Sequence, residues 1–563
     1  MQIHGNVIAG GIAMGKIYFP RTDYSKHLKA YRASRSDIEK IRFSNAVAQA
    51  KQDLNELIAS ENHDSDSFDI LKSHMSIVSD ATLENKVFAL IDQGISAPYA
   101  LTSTIDVLSN SFQATTDPLF KERVADIRDA GNRILRKLLA IEEPIFPDEN
   151  IIVIADDIEP SVMASYSEEY VKAVCLSNPS ETSHSAIIAK SKDFITITNF
   201  DYRKYPFKED DIVMIDTENN NIIINPSTSD EMEYNKKKTE WNASRNTMLQ
   251  SAYLPALSLD GTEFTVGANI SSYTEISKAL SYGCSGIGLF RSEFLFMKSK
   301  KLPSEDEQYL AYKAVVEKTG DSLTLIRTLD IGGDKKCSSI KLPEEENPAL
   351  GFRGIRVSLE SKDIFKTQLR AILRASKHGK VAIMLPMVTT LFEVNQAKKC
   401  LQECMTQLDL KGIPYDKDIM LGIMVETPAA CIMADVFAKH VDFFSIGTND
   451  LIQYTFAADR TNPSVSHFFD YYEPAVIHSI HRIVTAAQNA GIWVGICGEM
   501  ASEPTLIPFF MALGVDELSM APSAIPKIKA LIRTTSTDSC DLDKLLSFDS
   551  TKKVQKYLND LLK

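Results

Sequence analysis

Charged and polar side chains recur directly after apolar, strand-like segments in the second half of the 563-residue chain. They are Arg291, Arg327, Lys335, Arg353, Glu426, Asn449, Asp450, Arg460 and Cys497. Arginines and lysines that face one another are costly unless an anion lies between them, which predicts an anionic ligand. Two carboxylates beside these cations suit a hard metal ion such as Mg²⁺ that bridges the protein to a phosphate. The mixture fits a small phosphorylated carboxylic acid.

Each of these residues also has a structural interpretation. An isolated arginine after a strand is commonly a surface ion pair, and an aspartate or glutamate there commonly caps a helix. Cys497, which we expect to be exposed where its strand ends, would by itself be typical of a buried small apolar residue. The functional interpretation is favoured because at least five consecutive strand-to-helix loops carry such groups.

A second candidate centre is the segment ETSHSAIIAK at 181–190. Its histidine, His184, follows hydroxyl residues and precedes an apolar run that predicts a helix. Backbone N–H groups and the helix dipole at a helix N-terminus favour a phosphoryl group, and an imidazole there is a plausible nucleophile toward phosphorus. A lone histidine in a capping turn is more commonly structural, so this segment alone is a weak signal.

Eight apolar strand candidates alternate with segments long enough for crossover helices after residue 256. This pattern predicts a TIM (β/α)8 barrel, whose active site lies at the carboxyl ends of its strands. The candidates span 264–270, 286–290, 323–328, 381–387, 420–426, 442–447, 492–498 and 516–520.

The first half of the chain has a different pattern. Helical periodicity extends from about 25 to 140, and strand-like runs follow at 150–157, 170–176, 211–216 and 221–225. Residues 1–20 resemble an additional strand of this later region, so we expect the helical bundle to be inserted into a small α/β domain. Residues 229–255 have mixed charge and predict a helical linker.

Composition narrows the class of protein. The formal net charge is −14, and an acidic chain lacks the basic surface that a general nucleic-acid binder needs. No apolar run reaches the roughly 18 residues of a membrane span, so we expect no membrane insertion. Eight cysteines without a CxxC pair indicate reduced thiols in a cytoplasmic enzyme.

The motifs resemble those of the phosphoenolpyruvate-protein phosphotransferases, the enzyme I family of the bacterial sugar phosphotransferase system. The similarity extends over nearly the whole chain and is most specific in the C-terminal half. The motifs that carry it are TSHSAIIA, LDGTEF, GLFRSEFLFM, RTLDIGGDK, ENPALGFRGIR, GIMVETPAA, FFSIGTNDLIQYT and ICGEM.

The resemblance implies a role for each candidate residue. Arg291, Arg327, Lys335 and Arg353 match phosphate ligands, and Asn449 and Arg460 match groups that hold the substrate carboxylate. Glu426 and Asp450 match ligands of Mg²⁺. Cys497 matches the general acid that protonates C3 of the departing enolate, and His184 matches the phosphorylated histidine.

The resemblance also implies an organisation and an activity. We expect a swivelling phosphohistidine domain from 1–22 and 143–228, a helical carrier-binding domain at 23–142, the linker at 229–255 and a dimerising barrel at 256–563. The implied reaction transfers a phosphoryl group from phosphoenolpyruvate to His184 and then to the carrier protein HPr, with release of pyruvate. Nine acidic and two basic residues within 53–92 suit a partner with a basic docking face, although a solvated charged surface is an equally good interpretation.

Departures from the family pattern lie near His184. Asn178, Pro179, Ser180 and Glu181 replace a usual glycine pair, and Lys190 replaces a common arginine. These changes favour, as an alternative, a regulatory paralogue that binds phosphoenolpyruvate or HPr without efficient turnover. A phosphoenolpyruvate synthase or pyruvate phosphate dikinase shares this barrel but needs an ATP-binding domain of roughly 300 residues, for which the chain has no room.

Overall fold

The computed structural model divides the chain into two compact units, Met1–Asn242 and Ala243–Lys563. It describes all residues except 21–34, 61–65, 114–117, 142–148, 159, 168, 178–184, 186–187, 190–191, 193, 210, 298–300, 334, 336, 338, 461, 463 and 563.

Among its described residues, the first unit contains a group of five long helices. Leu83, Val87 and Ile91 are buried at four-residue spacing along one of them, as an amphipathic helix requires. The helices span Ser36–Ser60, Asp66–Val78, Ala81–Asp92, Ala97–Gln113 and Pro118–Leu138.

A seven-stranded mixed sheet completes this unit, with the order β1-β5-β4-β3-β2-β6-β7. β2 pairs in parallel with β3 and antiparallel with β6, so the start of the chain contributes to the sheet, as expected. The short helix Pro160–Ser165 follows β3. The strands are β1 Asn6–Ala9, β2 Ile12–Tyr18, β3 Ile151–Ala155, β4 Val171–Leu176, β5 Ile195–Thr198, β6 Ile212–Asp216 and β7 Asn221–Ile224.

Eight parallel strands close into a barrel in the second unit, which confirms the predicted TIM architecture. A long helix, Thr228–Ser251, precedes them and crosses the division between the two units. A two-residue strand, β8 Ala256–Leu257, pairs antiparallel with the first barrel strand. The barrel strands are β9 Glu263–Ile270, β10 Ile287–Arg291, β11 Thr324–Arg327, β12 Val381–Leu385, β13 Met420–Val425, β14 Phe443–Gly447, β15 Trp493–Cys497 and β16 Glu517–Met520.

Helices lie around the barrel and pack on its outer face in one large apolar cluster. They include two with complete capping boxes, in which Ser304 and Thr390 exchange hydrogen bonds with Glu307 and Glu393. The helices span Ile276–Ser281, Glu293–Met297, Glu305–Thr319, Ile355–Glu360, Lys362–Ala375, Leu391–Leu410, Pro428–Ile432, Ala434–Phe437, Thr448–Phe456, Pro474–Ala490, Ile507–Leu513, Ile525–Arg533, Leu542–Leu546 and Thr551–Asp560.

The barrel strands are buried on both faces, which explains why they read as continuous apolar runs. Side chains from Leu289, Leu325, Met384, Met424 and Phe443 fill the interior as a separate cluster. Within the part of the chain described, no helix combines the length and apolar character that crossing a membrane requires.

Candidate active site

The carboxyl ends of the barrel strands bring most of the predicted site residues to one face. Arg291 and Arg327 are the last residues of β10 and β11 and lie opposite each other in the sheet register. Glu426 follows β13 directly, and Cys497 ends β15. Because all eight strands are parallel, these ends share the face on which TIM barrels carry their chemistry.

Arg327 and Lys335 meet two buried carboxylates. The ammonium of Lys335 donates to Glu293 Oε1 at 2.8 Å and to Asp330 Oδ2 at 2.7 Å. The guanidinium of Arg327 donates to the same Glu293 oxygen and lies 3.1 Å from Asp330 Oδ2. Lys335 reaches this position because Gly332 and Gly333 adopt positive φ angles in a turn closed by two backbone hydrogen bonds between Gly332 and Lys335.

Arg353 joins this cluster to the helix Thr448–Phe456. Its guanidinium lies 3.2 Å from Asp330 Oδ1 and 3.0 Å from Asp450 Oδ1, and it also donates to the hydroxyl of Tyr454 at 3.1 Å. Asp450 and Tyr454 are one turn apart on that helix, which explains how both reach one guanidinium.

Three cations are therefore balanced by three carboxylates before any ligand is bound. This finding changes the expectation that facing cations need an external anion, because Glu293, Asp330 and Asp450 supply the compensating charge. Burial disfavours ionisation of Glu293 and Asp330, but the neighbouring cations hold the pKa of both carboxyls below the usual range.

Glu426 has one carboxylate oxygen that is hydrogen-bonded and one that is not. Its Oε1 accepts the backbone N–H of Met387 at 2.6 Å, whereas Oε2 is buried without a hydrogen-bond partner among the described residues. Met387 has a positive φ of 57°, an unusual backbone conformation that aims its N–H at this carboxylate. Burial, followed by the charges of Asp450 and Asp330, raises the pKa of Glu426 to about 8.

The carboxylates Glu426 and Asp450 fit a divalent cation. A buried oxygen without a donor and two carboxylates that oppose each other's ionisation are both stabilised by added positive charge. No cluster of three or more histidine, cysteine, aspartate or glutamate ligands occurs among the residues that the structure describes. The protein would then supply two carboxylates, which is typical of a hard cation that takes its remaining oxygen ligands from water and substrate phosphate.

Two predicted arginines lack compensating carboxylates in the described part of the chain. The side chains of Arg291 and Arg460 make no hydrogen bond or ion pair there, although Arg291 contributes its charge to the surroundings of Cys497. Asn449 lies one residue before Asp450, and its Oδ1 accepts the backbone N–H of Glu499 at 3.4 Å. These groups remain available to an anionic ligand.

Cys497 is buried, so the expectation of an exposed thiol is wrong. Only 2% of the residue is accessible, and its Sγ donates to the carbonyl of Ile446 at 3.5 Å. It is buried because its side chain belongs to the apolar cluster that fills the barrel interior, with Leu289, Leu325 and Met424. Burial raises the pKa of the thiol to about 11, which keeps it protonated at neutral pH.

His184, the predicted phosphorylated histidine, lies outside the described residues. The next residue, Ser185, is buried, and its hydroxyl donates to Asp157 at 2.9 Å. Asp157 follows β3, and burial raises the pKa of its carboxyl.

Sequence reasoning missed Glu293, Met387 and Tyr454 and gave Asp330 no role. Glu293 lies within the apolar motif FRSEFLF, where a single acidic residue is typical of a helix terminus. The signal that could have found it is its place two residues after Arg291, directly beyond the end of a strand. Nothing in the local sequence indicates the conformation of Met387.

Three family models match the chain. They describe a PEP-utilising enzyme's N-terminal region at residues 4–123, its mobile domain at 146–220 and its PEP-binding domain at 245–537.

Curated relatives match over the full length and carry the name phosphoenolpyruvate-protein phosphotransferase. The protein from Bacillus sp. (strain S) is 40% identical and covers 99% of this chain and 97% of its own length. The protein from Bacillus subtilis (strain 168) is 37% identical with both chains fully covered. The protein from Staphylococcus aureus is 37% identical over 95% of this chain and 94% of its own. The chain therefore belongs to the phosphoenolpyruvate-protein phosphotransferase family of PEP-utilising transferases.

Proposed function

We propose that this protein transfers the phosphoryl group of phosphoenolpyruvate to its own His184 and then to the carrier protein HPr, with release of pyruvate. This is the first step of the sugar phosphotransferase system. The observation that carries the proposal is the cluster on the barrel face, in a chain of this family. It combines cations paired with carboxylates, two arginines without a carboxylate partner among the described residues, and a carboxylate pair that fits a divalent cation.

Substrate binding follows from the charges. Arg291, Arg327, Lys335 and Arg353 bind the phosphoryl oxygens, and Asn449 and Arg460 hold the carboxylate. The N–H donors of Arg327, Lys335 and Arg353 are already oriented by buried carboxylates, so little reorganisation is needed when negative charge moves during transfer.

Glu426 and Asp450 would hold the metal ion, which we propose to be Mg²⁺ because both ligands are hard oxygen donors. The bound ion would neutralise charge on the phosphoryl group and on the forming enolate. Members of the family use a metal cofactor, and these two residues are our proposed ligands.

Proton delivery is assigned to Cys497. The thiol is protonated at neutral pH because its pKa is about 11, so it can give a proton to C3 of the enolate and must recover one from solvent before the next turnover. Imidazole attack by His184 forms the N–P bond as the bond from phosphorus to the enolate oxygen breaks.

The partner surface is the acidic helical segment within 53–92. Four of its carboxylates have internal contacts in the described part of the segment. Asp53 and Asp92 pair with Lys137 and Lys40, Glu56 accepts from the amide of Gln52, and Asp80 caps the helix Ala81–Asp92. The remaining acidic residues suit a basic docking face on HPr. We also propose that the protein forms a homodimer through the barrel and that it is cytoplasmic. The eight free cysteines support the cytoplasmic location.

The decisive experiment incubates the protein with phosphoenolpyruvate labelled in its phosphoryl group and with Mg²⁺. We expect an acid-labile, base-stable phosphoryl group that is absent in His184→Ala and moves to added HPr. Label that persists in His184→Ala would contradict the proposal. Binding of phosphoenolpyruvate without any label would instead support the regulatory alternative.

A further inference from the structure

Glu293 lies at the centre of the cation cluster. Its side chain is completely buried, and its Oε1 accepts from both Lys335, at 2.8 Å, and Arg327. Its other oxygen, Oε2, is buried without a hydrogen-bond partner among the described residues. Burying a carboxylate is costly when one oxygen accepts two hydrogen bonds and the other accepts none. The charges of Arg327 and Lys335 keep this carboxylate ionised.

A rigid polar network fixes the backbone on both sides of this contact. The hydroxyl of Ser292 donates to the carbonyl of Arg327, and the amide of Gln368 donates to Ser292 at 2.9 Å and to Tyr312 at 3.1 Å. Gln368 also accepts the N–H of Leu329 at 2.9 Å. The strand end that carries Arg327 and the helix that starts at Glu293 are therefore tied together.

We propose that Glu293 is a positioning residue that holds Arg327 and Lys335 as one preformed unit and lowers their affinity for a resting phosphate group. The proposal deepens the proposed function and rests on it. Glu293 need not touch the substrate, because it acts through the two cations it binds.

Glu293 and a phosphoryl group compete for the same two cations, Arg327 and Lys335. The negative charge of Glu293 weakens the attraction of both cations for a ground-state phosphoryl group, whereas their fixed spacing favours the transferring group. Asp330 binds the same two cations and also Arg353, whereas Glu293 pairs with no cation other than these two among the described residues.

The test compares Glu293→Gln with Glu293→Asp in the full-length protein. Glu293→Gln keeps the shape and removes the charge. We expect it to bind inorganic phosphate about fivefold more tightly or better, to keep or lower the KM for phosphoenolpyruvate, and to lose about tenfold or more in kcat. Glu293→Asp keeps the charge and shortens the reach, so phosphate affinity should stay within about twofold while kcat falls.

The matched control is Glu345→Gln. Among the described residues, Glu345 accepts the backbone N–H of Phe352 alone, at 2.8 and 3.1 Å, and it lies in the connection between β11 and β12 that also carries Lys335. We expect the Glu345→Gln variant to bind phosphate with the same affinity as the unmodified protein.

Two results would overturn the proposal. One is that Glu293→Gln binds phosphate no more tightly than the unmodified protein, and the other is that Glu293→Asp has the same kcat as the unmodified protein. The second remains decisive if the glutamine variant does not fold. An unmodified protein that binds phosphate but makes no pyruvate would contradict the proposed function instead, and the comparison of phosphate affinities would still test the charge effect of Glu293.

Discussion

The protonation state of Glu426 links the metal site to pH. Its carboxyl is buried beside other carboxylates, which raises the pKa to about 8, so the group is mainly neutral at pH 7. A metal ion binds the ionised carboxylate, and binding must therefore release a proton below pH 8.

We predict that the affinity for Mn²⁺, used as a spectroscopic probe for Mg²⁺, rises about tenfold per pH unit between pH 6 and 8 and levels off above. Titrations followed by electron paramagnetic resonance at pH 6, 7, 8 and 9 measure this slope. Glu426→Gln should bind Mn²⁺ weakly and with little dependence on pH. A constant affinity across this range in the unmodified protein would contradict the prediction.

The sequence alone predicts which residues are candidates for the site, but not the contacts that they make. Arg291, Arg327, Glu426 and Cys497 are predicted as candidates because each ends or follows a strand, and the end of a strand is visible in the sequence as the boundary of an apolar run. Burial of Cys497 and the pairing of Lys335 with Glu293 depend on neighbouring strands and on a helix that are distant in sequence. Those contacts could not be read from local spacing.

A buried lysine ties the end of the long helix Thr228–Ser251 to the barrel. The ammonium of Lys529, on the helix Ile525–Arg533, donates to the carbonyls of Ala252 at 2.6 Å and Gly283 at 2.9 Å. A cation at a helix C-terminus also interacts favourably with the helix dipole.

We predict that Lys529→Met lowers the free energy of unfolding of the barrel by about 2 kcal/mol, because two buried carbonyls lose their donor. Urea unfolding followed by fluorescence measures this in a Trp241→Phe background, where Trp493 is the only tryptophan. The exposed Lys527 on the same helix provides the control, and Lys527→Met should change stability by less than about 0.5 kcal/mol. Equal effects of the two substitutions would refute the anchoring role.

Glu517 is a second buried acid, inside the barrel at β16. Its Oε1 has no partner in the described structure, and Gly267 on β9 and Gly288 on β10 leave the space for it. Burial, followed by the charge of Asp516, raises the pKa of Glu517 to about 8. The folded state therefore retains a proton that the unfolded chain releases near pH 4.5, so this group's contribution to stability is greatest below pH 4.5 and is lost as the pH rises to 8.

We predict that Glu517→Gln, which is neutral at all pH values, gains stability relative to the unmodified barrel by up to about 1.4 kcal/mol per pH unit between pH 5 and 8. Urea unfolding at pH 5, 6.5 and 8, with Trp493 as reporter, tests this slope. Glu263→Gln, at an exposed position of β9, should show no such trend. A stability difference between Glu517→Gln and the unmodified protein that does not vary with pH would disprove the assignment.

A strand can be predicted from the sequence when it forms a continuous apolar run. All eight barrel strands were predicted because strands buried on both faces form apolar runs of four to eight residues. β5 and β8 were not predicted: β5, with the sequence ITIT, alternates isoleucine with threonine and forms no continuous apolar run, and β8 has only two residues. The order of the seven-stranded sheet, with β1 beside β5, depends on pairings between distant segments that no local pattern contains.

The net charge of the whole molecule does not describe the local charge at the candidate site. A net charge of −14 coexists with a barrel face where Arg291 and Arg460 stay uncompensated in the described part of the chain. Net charge therefore predicts solubility and the sign of the surface, while substrate recognition depends on a few local groups.

Two compact units with separate apolar cores should unfold separately. We predict two transitions in calorimetry of the His184→Ala protein, a background that prevents turnover. Phosphoenolpyruvate and Mg²⁺ at about 100 times the Kd should stabilise only the barrel transition, by about 2.7 kcal/mol, because ligand binding adds free energy only to the unit that contains the site. Arg327→Leu in the same background should abolish the shift. One cooperative transition, or an equal shift of both, would show that the units are energetically coupled and would contradict this separation.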